Sequence, residues 1–175
     1  MNLRWYQRLL SSSEDNETGD LFGWALASGN FNSDEHDDLA ISAAGESYEG
    51  IDQAGRIHVL YGPFSPLESY YTFTETHESG IQFGYSLAAG DFDDNGYDDV
   101  VIGAPFYGYG SLPDNAGQVV VYFFYEGDIM AQFLYMDSLI GDAIQPVEND
   151  QFGLVLAVLD EPNYNQFIYL PLIRR

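Results

Sequence analysis

The chain contains no cysteine and no lysine, and it has few basic residues of any kind. Without cysteine, neither a disulfide framework nor a zinc–thiolate site can form. Only 5 basic residues stand against 28 aspartates and glutamates, which gives a net charge of −23. A chain this acidic repels nucleic acids and anionic membranes, so neither is expected as a partner.

Long apolar segments are missing too, since no run approaches the ~20 residues that span a membrane. The first residues include Arg4, Gln7 and Arg8 and do not form a signal peptide. Apolar residues nevertheless make up 46% of the 175 residues, with 14 tyrosines and 12 phenylalanines. This composition predicts a packed domain of ordinary size rather than a disordered chain.

The chain repeats itself with a period of about sixty residues. A Phe-Gly pair occurs at Phe22–Gly23, at Phe83–Gly84 and at Phe152–Gly153. At the same distance after each phenylalanine stands an oxygen-bearing residue, namely Asn30, Asp91 and Asp160. Repeats of this length indicate a supersecondary unit that stacks on copies of itself.

Four short apolar segments in each repeat predict β-strands, because they are rich in β-branched and aromatic residues and are bounded by turn formers. The segments are 24–27, 39–44, 54–61 and 70–73 in the first repeat, and 85–88, 100–105, 116–123 and 132–135 in the second. Arg56 and His58 alternate with apolar residues, which predicts a partly exposed strand. The nearly continuous apolar run 117–125 predicts a strand buried on both faces. Four-stranded sheets buried on both faces are typical of radially stacked blades.

Residues 91–99 have the pattern of a calcium loop. Side-chain oxygens occupy the first, third, fifth and ninth positions as Asp91, Asp93, Asn95 and Asp99, and a glycine, Gly96, is sixth. A loop that turns alternate oxygens toward one point binds Ca²⁺, and the glycine allows the positive φ of the turn. We predict a calcium site made by these four side chains and the backbone carbonyl of Tyr97.

Three alternatives to this calcium loop can be compared with it. An EF-hand needs glutamate at its twelfth position, where this chain has Ile102 in a predicted strand. Magnesium is less suitable because it retains its waters. A turn rich in Asp and Asn that binds no metal remains open, since these residues favour turns in any case.

Residues 30–38 form a looser copy of the loop. The corresponding ligands are Asn30, Asn32, Asp34, the carbonyl of His36, and Asp38. Glu35 replaces the turn glycine, and a left-handed glutamate would cost roughly 1–2 kcal/mol more than glycine. We therefore predict a second, weaker calcium site here. In the third repeat, Pro162, Tyr164 and Ile168 follow Asp160 at the ligand positions, and no metal is predicted.

The Phe-Gly pairs, the acidic loop and Gly103–Ala104–Pro105 together resemble the FG-GAP repeat, the blade of the integrin α-subunit β-propeller. The first repeat departs from that pattern, with Ser42–Ala43–Ala44 in place of Gly-Ala-Pro. The resemblance implies an all-β fold, a partial β-propeller of four-stranded antiparallel blades, with two full blades and a partial blade at each end. The implied units are 1–14 (the last strand of a preceding blade, with Trp5 and Gln7), 15–75, 76–147 and an incomplete third repeat at 148–175.

The same resemblance implies an extracellular or cell-surface module for adhesion, with calcium in a structural role and a protein or glycan as ligand. Ligands would engage loops opposite the calcium loops, where Tyr48, Tyr107 and Tyr109 are candidates unless they only fill turns. Because propellers have at least four blades, we expect the remaining blades of a longer chain or self-association. The alternative is an accessory part of a larger secreted enzyme whose catalytic domain lies elsewhere.

No catalytic residues are predicted within the chain, and we do not expect an enzyme. The segment 84–88 approaches a nucleophile elbow around Ser86 but falls in a predicted strand. His36 and His77 lie in predicted loops, and His58 lies mid-strand among apolar residues. No glycine-rich phosphate loop precedes a helix.

Overall fold

The computed structural model describes residues 17–64, 70–74, 78–108, 114–126, 128–134, 149 and 151–156. These residues form two antiparallel four-stranded sheets and no helix. Within these ranges there is accordingly no helical segment with the length and apolar character to cross a membrane. The predictions for 1–14, His77, Tyr109, Asp160 and the part of the third repeat after residue 156 concern residues that the structure does not describe.

Each predicted segment overlaps a strand, although the last strand begins four residues before the predicted segment 132–135. Blade 1 consists of β1 (Phe22–Gly29), β2 (Asp38–Ala43), β3 (Arg56–Leu60) and β4 (Tyr70–Thr74), paired in that order. Blade 2 consists of β5 (Ser86–Gly90), β6 (Asp99–Ala104), β7 (Gln118–Tyr125) and β8 (Asp128–Leu134), again in order. The chain is therefore all-β, with two unclosed blades of a partial propeller.

The main core lies between the two blades. It is formed by one face of each sheet, where Ile57 and Val59 of blade 1 and Val100 and Ile102 of blade 2 are fully buried. Aromatic rings join the faces, as the centroids of Phe73 and Tyr122 are 4.2 Å apart and those of Phe31 and Phe124 are 5.3 Å apart. Burial of these rings is the main force that holds the blades together.

Blade 2 is also covered on its other face, as the continuous apolar run predicts. Val101, Val119 and Val121 are buried there with Phe152 from the third repeat. All six residues of β6 are buried, and so are the first four of β7. Two-sided burial explains why β6 and β7 show no alternation of apolar and polar residues.

The predicted partial exposure of β3 is wrong. His58 is fully buried and Arg56 is mostly buried. A buried carboxylate faces both, since Glu46 Oε1 lies 3.0 Å from Arg56 Nη1 and Glu46 Oε2 lies 3.6 Å from His58 Nε2. The edge of Phe22 packs on the imidazole at 5.7 Å. Polar residues can be buried when they are paired, and the alternating pattern does not show such pairing.

The three Phe-Gly turns share one backbone conformation. Residues with positive φ recur at equivalent positions in each, as Gly19, Leu21 and Gly23, as Gly80, Gln82 and Gly84, and as Asn149, Gln151 and Gly153. The second and third turns dock on the preceding blade through equivalent bonds, Phe83 N to Ala54 O (3.1 Å) and Phe152 N to Ala116 O (2.9 Å). The third repeat thus packs on blade 2 as blade 2 packs on blade 1.

Candidate metal centre

Three of the five predicted ligands of the second loop come together in the structure. The loop connects β5 to β6, and one oxygen from each of Asp91, Asp93 and Asp99 lies within 4.8 Å of the others. Two oxygens on one calcium ion are at most about 5 Å apart, because each Ca–O distance is about 2.3–2.6 Å. The spacing of the three carboxylates therefore fits one shared Ca²⁺.

Asp99 is the buried member of this cluster. Its Oδ2 accepts a hydrogen bond from Phe92 N (2.8 Å) and its Oδ1 accepts one from Phe124 N (3.0 Å). Burial raises the pKa of Asp99 to about 7; the two N–H donors lower it, while Asp93 and Asp91 raise it further. A carboxylate oxygen has two lone pairs, so both oxygens retain one for a cation.

Asp91 and Asn95 are oriented by the backbone of the same loop. The two oxygens of Asp91 accept hydrogen bonds from Asn95 N (3.0 Å) and Gly96 N (2.9 Å). Asn95 Oδ1 accepts a bond from Tyr97 N (2.7 Å), while its amide donates to Phe124 O (2.9 Å). Gly96 has the predicted positive φ, at 88°. The role of the Tyr97 carbonyl stays a prediction.

Asp93 is exposed, and a tyrosine from the neighbouring hairpin fixes its orientation. The hydroxyl of Tyr125 donates to Asp93 Oδ2 at 2.8 Å. This hydrogen bond is the main reason that the pKa of Tyr125 is raised. Sequence reasoning missed Tyr125, because it stands at the end of β7, and no motif spacing relates it to the loop.

The first loop is built on the same scaffold. Four hydrogen bonds have direct counterparts in the second loop: Phe31 N and Gly62 N to Asp38, Asp34 N to Asn30, and His36 N to Asp34. Asp38 is buried as Asp99 is, and burial likewise raises its pKa. The two loops, which resemble each other in sequence, therefore also share a pattern of hydrogen bonds.

The predicted left-handed strain at Glu35 is wrong. The positive φ in this loop is at Ser33 (55°), which matches Asp94 (58°) in the second loop, and Glu35 is not among the residues with positive φ. The first loop simply lacks the second left-handed residue that Gly96 supplies. The difference between the loops is therefore one of conformation, and the penalty of 1–2 kcal/mol does not apply.

In the first loop, two asparagines stand where the second loop has aspartates, and the side-chain amides of both donate hydrogen bonds to Asp34. The side-chain amide of Asn32 donates to Asp34 Oδ2 (2.9 Å), and that of Asn30 donates to Asp34 O (2.7 Å). The pKa of Asp34 is lowered, first by the N–H of His36 and then by the Asn32 amide. Within the described ranges, the three-carboxylate cluster belongs to the second loop. Calcium at residues 30–38 stays a prediction.

The tyrosines proposed as ligand-binding residues differ in position. Tyr107 is 5% exposed and packs in the core between the blades, so it fills a turn and does not face a ligand. Tyr48 is partly exposed beside the bridge to Ile51, and the guanidinium of Arg56 lies 4.4 Å from its ring centroid. Tyr48 remains the candidate for the loop side opposite the calcium loops.

Ser86 has a structural role at the junction with the third repeat. It lies at the start of β5, as predicted, and its hydroxyl donates to Gly153 O at 2.6 Å. A strand residue bonded to a neighbouring carbonyl lacks the exposed position of a nucleophile elbow.

Comparison with known proteins identifies the repeat. The model of the FG-GAP repeat matches residues 22–60 and 83–122. Phosphatidylinositol-glycan-specific phospholipase D of Rattus norvegicus is 36% identical over 109 residues, which cover 58% of this chain and 13% of that protein. Integrin alpha-5 of Xenopus laevis is 34% identical over 107 residues, covering 58% and 10%.

A longer match covers most of the chain. Integrin alpha-PS2 of Drosophila melanogaster is 30% identical over 162 residues, which are 89% of this chain and 11% of that protein. The chain thus spans 10–13% of the length of these relatives. The two matched segments coincide with the first three strands of each blade. This chain accordingly contains two FG-GAP repeats, one in each four-stranded blade, and most of its length is similar to part of an integrin α subunit.

Proposed function

We propose that this chain is a calcium-stabilised propeller segment that acts outside the cell as a protein-binding or adhesion module. The observation that supports calcium binding most directly is the carboxylate cluster of Asp91, Asp93 and Asp99. Its backbone donors orient the oxygens before any ion arrives, which lowers the cost of forming the site. Bound calcium would neutralise the cluster and fix the turn between β5 and β6.

Calorimetric titration with Ca²⁺ tests this function directly. Loops of extracellular modules bind with Kd of about 10⁻⁴–10⁻³ M, and we expect a value in this range for the whole chain. Asp93→Ala removes an exposed ligand and should weaken binding roughly tenfold, about 1.4 kcal/mol. Asp94→Asn is the matched control, because Asp94 is exposed in the same loop and asparagine tolerates its positive φ.

Equal affinities for Asp93→Ala and wild type would remove the second loop as the site. Equal affinities for Ca²⁺ and Mg²⁺ would contradict the choice of metal. An affinity in the range above is useful only where calcium is millimolar, which is the basis for placing the protein outside the cell or at its surface.

The adhesion role rests on the similarity to integrin α subunits and on the position of the loops. β2 begins at the calcium loop and ends at Ala43, so the segment that carries Tyr48 lies at the opposite end of blade 1. Cell attachment to surfaces coated with the chain should need calcium and should fall for Tyr48→Ala. Attachment that a calcium chelator leaves unchanged would contradict this role.

A second candidate function is an accessory part of a larger secreted enzyme. It is favoured by the 36% identity with a phosphatidylinositol-glycan-specific phospholipase D. The transcript that encodes this chain separates the two candidates. A reading frame that joins these blades to a catalytic domain would support the enzyme, and one that joins them only to further blades would support the adhesion module.

A further inference from the structure

A pair of hydrogen bonds links the two acidic loops across the boundary between the blades. Asp98 N donates to Asn30 O at 2.9 Å, and Asn30 N donates back to Asp98 Oδ2 at 2.7 Å. Asn30 is the first residue of the first loop and Asp98 is the eighth residue of the second. The bond to the carboxylate is charge-assisted, and such bonds are stronger than those between neutral groups.

The absence of a side chain at Gly29 leaves room for the Asp98 carboxylate beside Asn30. A Cβ on Gly29 would lie 2.9 Å from both Cβ and Oδ2 of Asp98, so no larger residue leaves room for the carboxylate. The same Cβ would lie 2.9 Å from the ring of Phe31, which stacks on Phe124 of blade 2. The Asp98 side chain therefore occupies a defined position between the first loop and the core.

Asp98 stands between two predicted calcium ligands, the carbonyl of Tyr97 and the carboxylate of Asp99. Its own carboxylate is committed to Asn30 and does not belong to the cluster in the second loop. An ion that fixes the residues on both sides of Asp98 also fixes its backbone. On the other side, Asn30 organises the first loop, because its Oδ1 accepts a hydrogen bond from Asp34 N (3.0 Å).

We propose that Asp98 is a positioning residue through which calcium in the second loop orders the first loop of the neighbouring blade. The inference rests on the proposed calcium site at residues 91–99. It requires no ion in the first loop, whose amides already bond to Asp34. Calcium binding to one blade would then stiffen the junction between both blades.

Amide hydrogen exchange of the whole chain, with and without Ca²⁺, measures this effect. In wild type, calcium should slow exchange in peptides that cover 91–99 and also in those that cover 30–38. The double variant Asp91→Ala with Asp93→Ala should lose the protection of 91–99 and most of the protection of 30–38, because its second loop no longer binds the ion. Protection of 30–38 that is as strong in the double variant as in wild type would overturn the proposal, since the second loop would then contribute nothing to the order of the first.

Asp98 itself is tested by an ablation and a conservative rescue. Asp98→Ala should retain protection of 91–99 and reduce calcium-dependent protection of 30–38 roughly tenfold, the value of a charge-assisted hydrogen bond. Asp98→Asn keeps a side-chain oxygen for Asn30 N and should restore much of the effect. Asp94→Asn removes the same charge four residues earlier in the same loop and should behave as wild type.

The outcomes separate this proposal from the proposed function. If calcium protects neither loop in wild type, the calcium site and the link both fail. If calcium protects 91–99 but never 30–38, the site stands and the link fails. If Asp98→Ala does not fold, wild type is compared with the double variant and with Asp98→Asn instead. Protection of 30–38 that is identical in the double variant and in wild type then rejects the link.

Discussion

The Cα of Gly55 lies directly against the backbone of Phe83. A Cβ at residue 55 would overlap the backbone nitrogen and oxygen of Phe83, and Gly55 has a φ of 80°. Gly117 has the same relationship to Phe152, with a φ of 88°. We call Gly55 and Gly117 the glycine edges of their blades, because the next Phe-Gly turn packs directly against each of them.

Replacement of Gly55 by alanine should open the junction between the blades. We expect a loss of at least about 3 kcal/mol in the free energy of unfolding, because the left-handed φ and the overlap with Phe83 both add to the cost. Gly50→Ala is the matched control. Gly50 has a similar φ of 83° with open space around its Cβ position, so only the φ penalty of about 1–2 kcal/mol remains. Urea unfolding measures both, and equal losses would contradict the role of the glycine edge.

Phe124 should be among the most sensitive core positions. Its ring stacks on Phe31 and meets the edge of Phe73 at 6.0 Å, so both partners belong to the other blade. Phe124→Ala should lower the free energy of unfolding by about 3–5 kcal/mol. Leu26→Ala should change it by less than about 0.5 kcal/mol, because Leu26 is 58% exposed. A small effect at Phe124 would show that the blades do not depend on each other.

Substitution of the buried residue Glu46 should lower the free energy of unfolding. Glu46→Gln removes the buried carboxylate that pairs with Arg56, and removal of one partner from a buried pair costs about 3–5 kcal/mol. Glu49→Gln is a control with the same chemical change at an exposed site and should be nearly neutral. Thermal unfolding of both variants checks the prediction, and a melting temperature for Glu46→Gln equal to that of the control would refute it.

Without calcium, the stability of the fold should decrease as the pH rises through neutrality. The folded pKa of Asp99 is about 7, against a value of 3.8 for the free side chain, so the folded state holds a proton that the unfolded state has lost. The stabilisation from this proton is complete below about pH 4 and is lost above about pH 7, and it amounts to up to about 4 kcal/mol. Burial raises the pKa of Asp20 and Asp38 as well, which acts in the same direction.

Calcium should reverse this trend, since the ion binds the carboxylate and must displace the proton. Chemical unfolding at about pH 5 and about pH 8, in chelator and in calcium, gives the comparison. In chelator the protein should be more stable at the lower pH, and the gain from calcium should be larger at the higher pH. The same pH profile in chelator for Asp99→Asn and for wild type would reject Asp99 as the titrating group.

The positions of the strands and the acidic loops could be predicted from the sequence because they depend on local signals. Apolar segments bounded by turn residues fix the strands, and alternate oxygens around Gly96 fix the loop. The link from Asn30 to Asp98 could not be predicted, because the two residues belong to different repeats and only the packing of the blades brings them together.

Two interpretations failed for reasons of packing, those of β3 and of Glu35. β3 looked partly exposed because Arg56 and His58 alternate with apolar residues, and their partner Glu46 lies in a loop that the strand pattern does not reveal. For Tyr107 the sequence left a ligand contact and a filled turn open, and the structure favours the filled turn, because the ring is buried in the core. Glu35 looked strained only because it aligns with Gly96, whereas the left-handed residue common to both loops is at Ser33 and Asp94.

The seating of each Phe-Gly turn on the preceding glycine edge has an evolutionary consequence. Each of the two blades carries both partners of this contact, the Phe-Gly turn and the glycine before its third strand, so a duplicated blade brings both to its new position. Lengthening or shortening such an array by whole units leaves the remaining contacts between units chemically unchanged. Selection can therefore change the number of units independently of the surface of any one unit, as long as this glycine is retained.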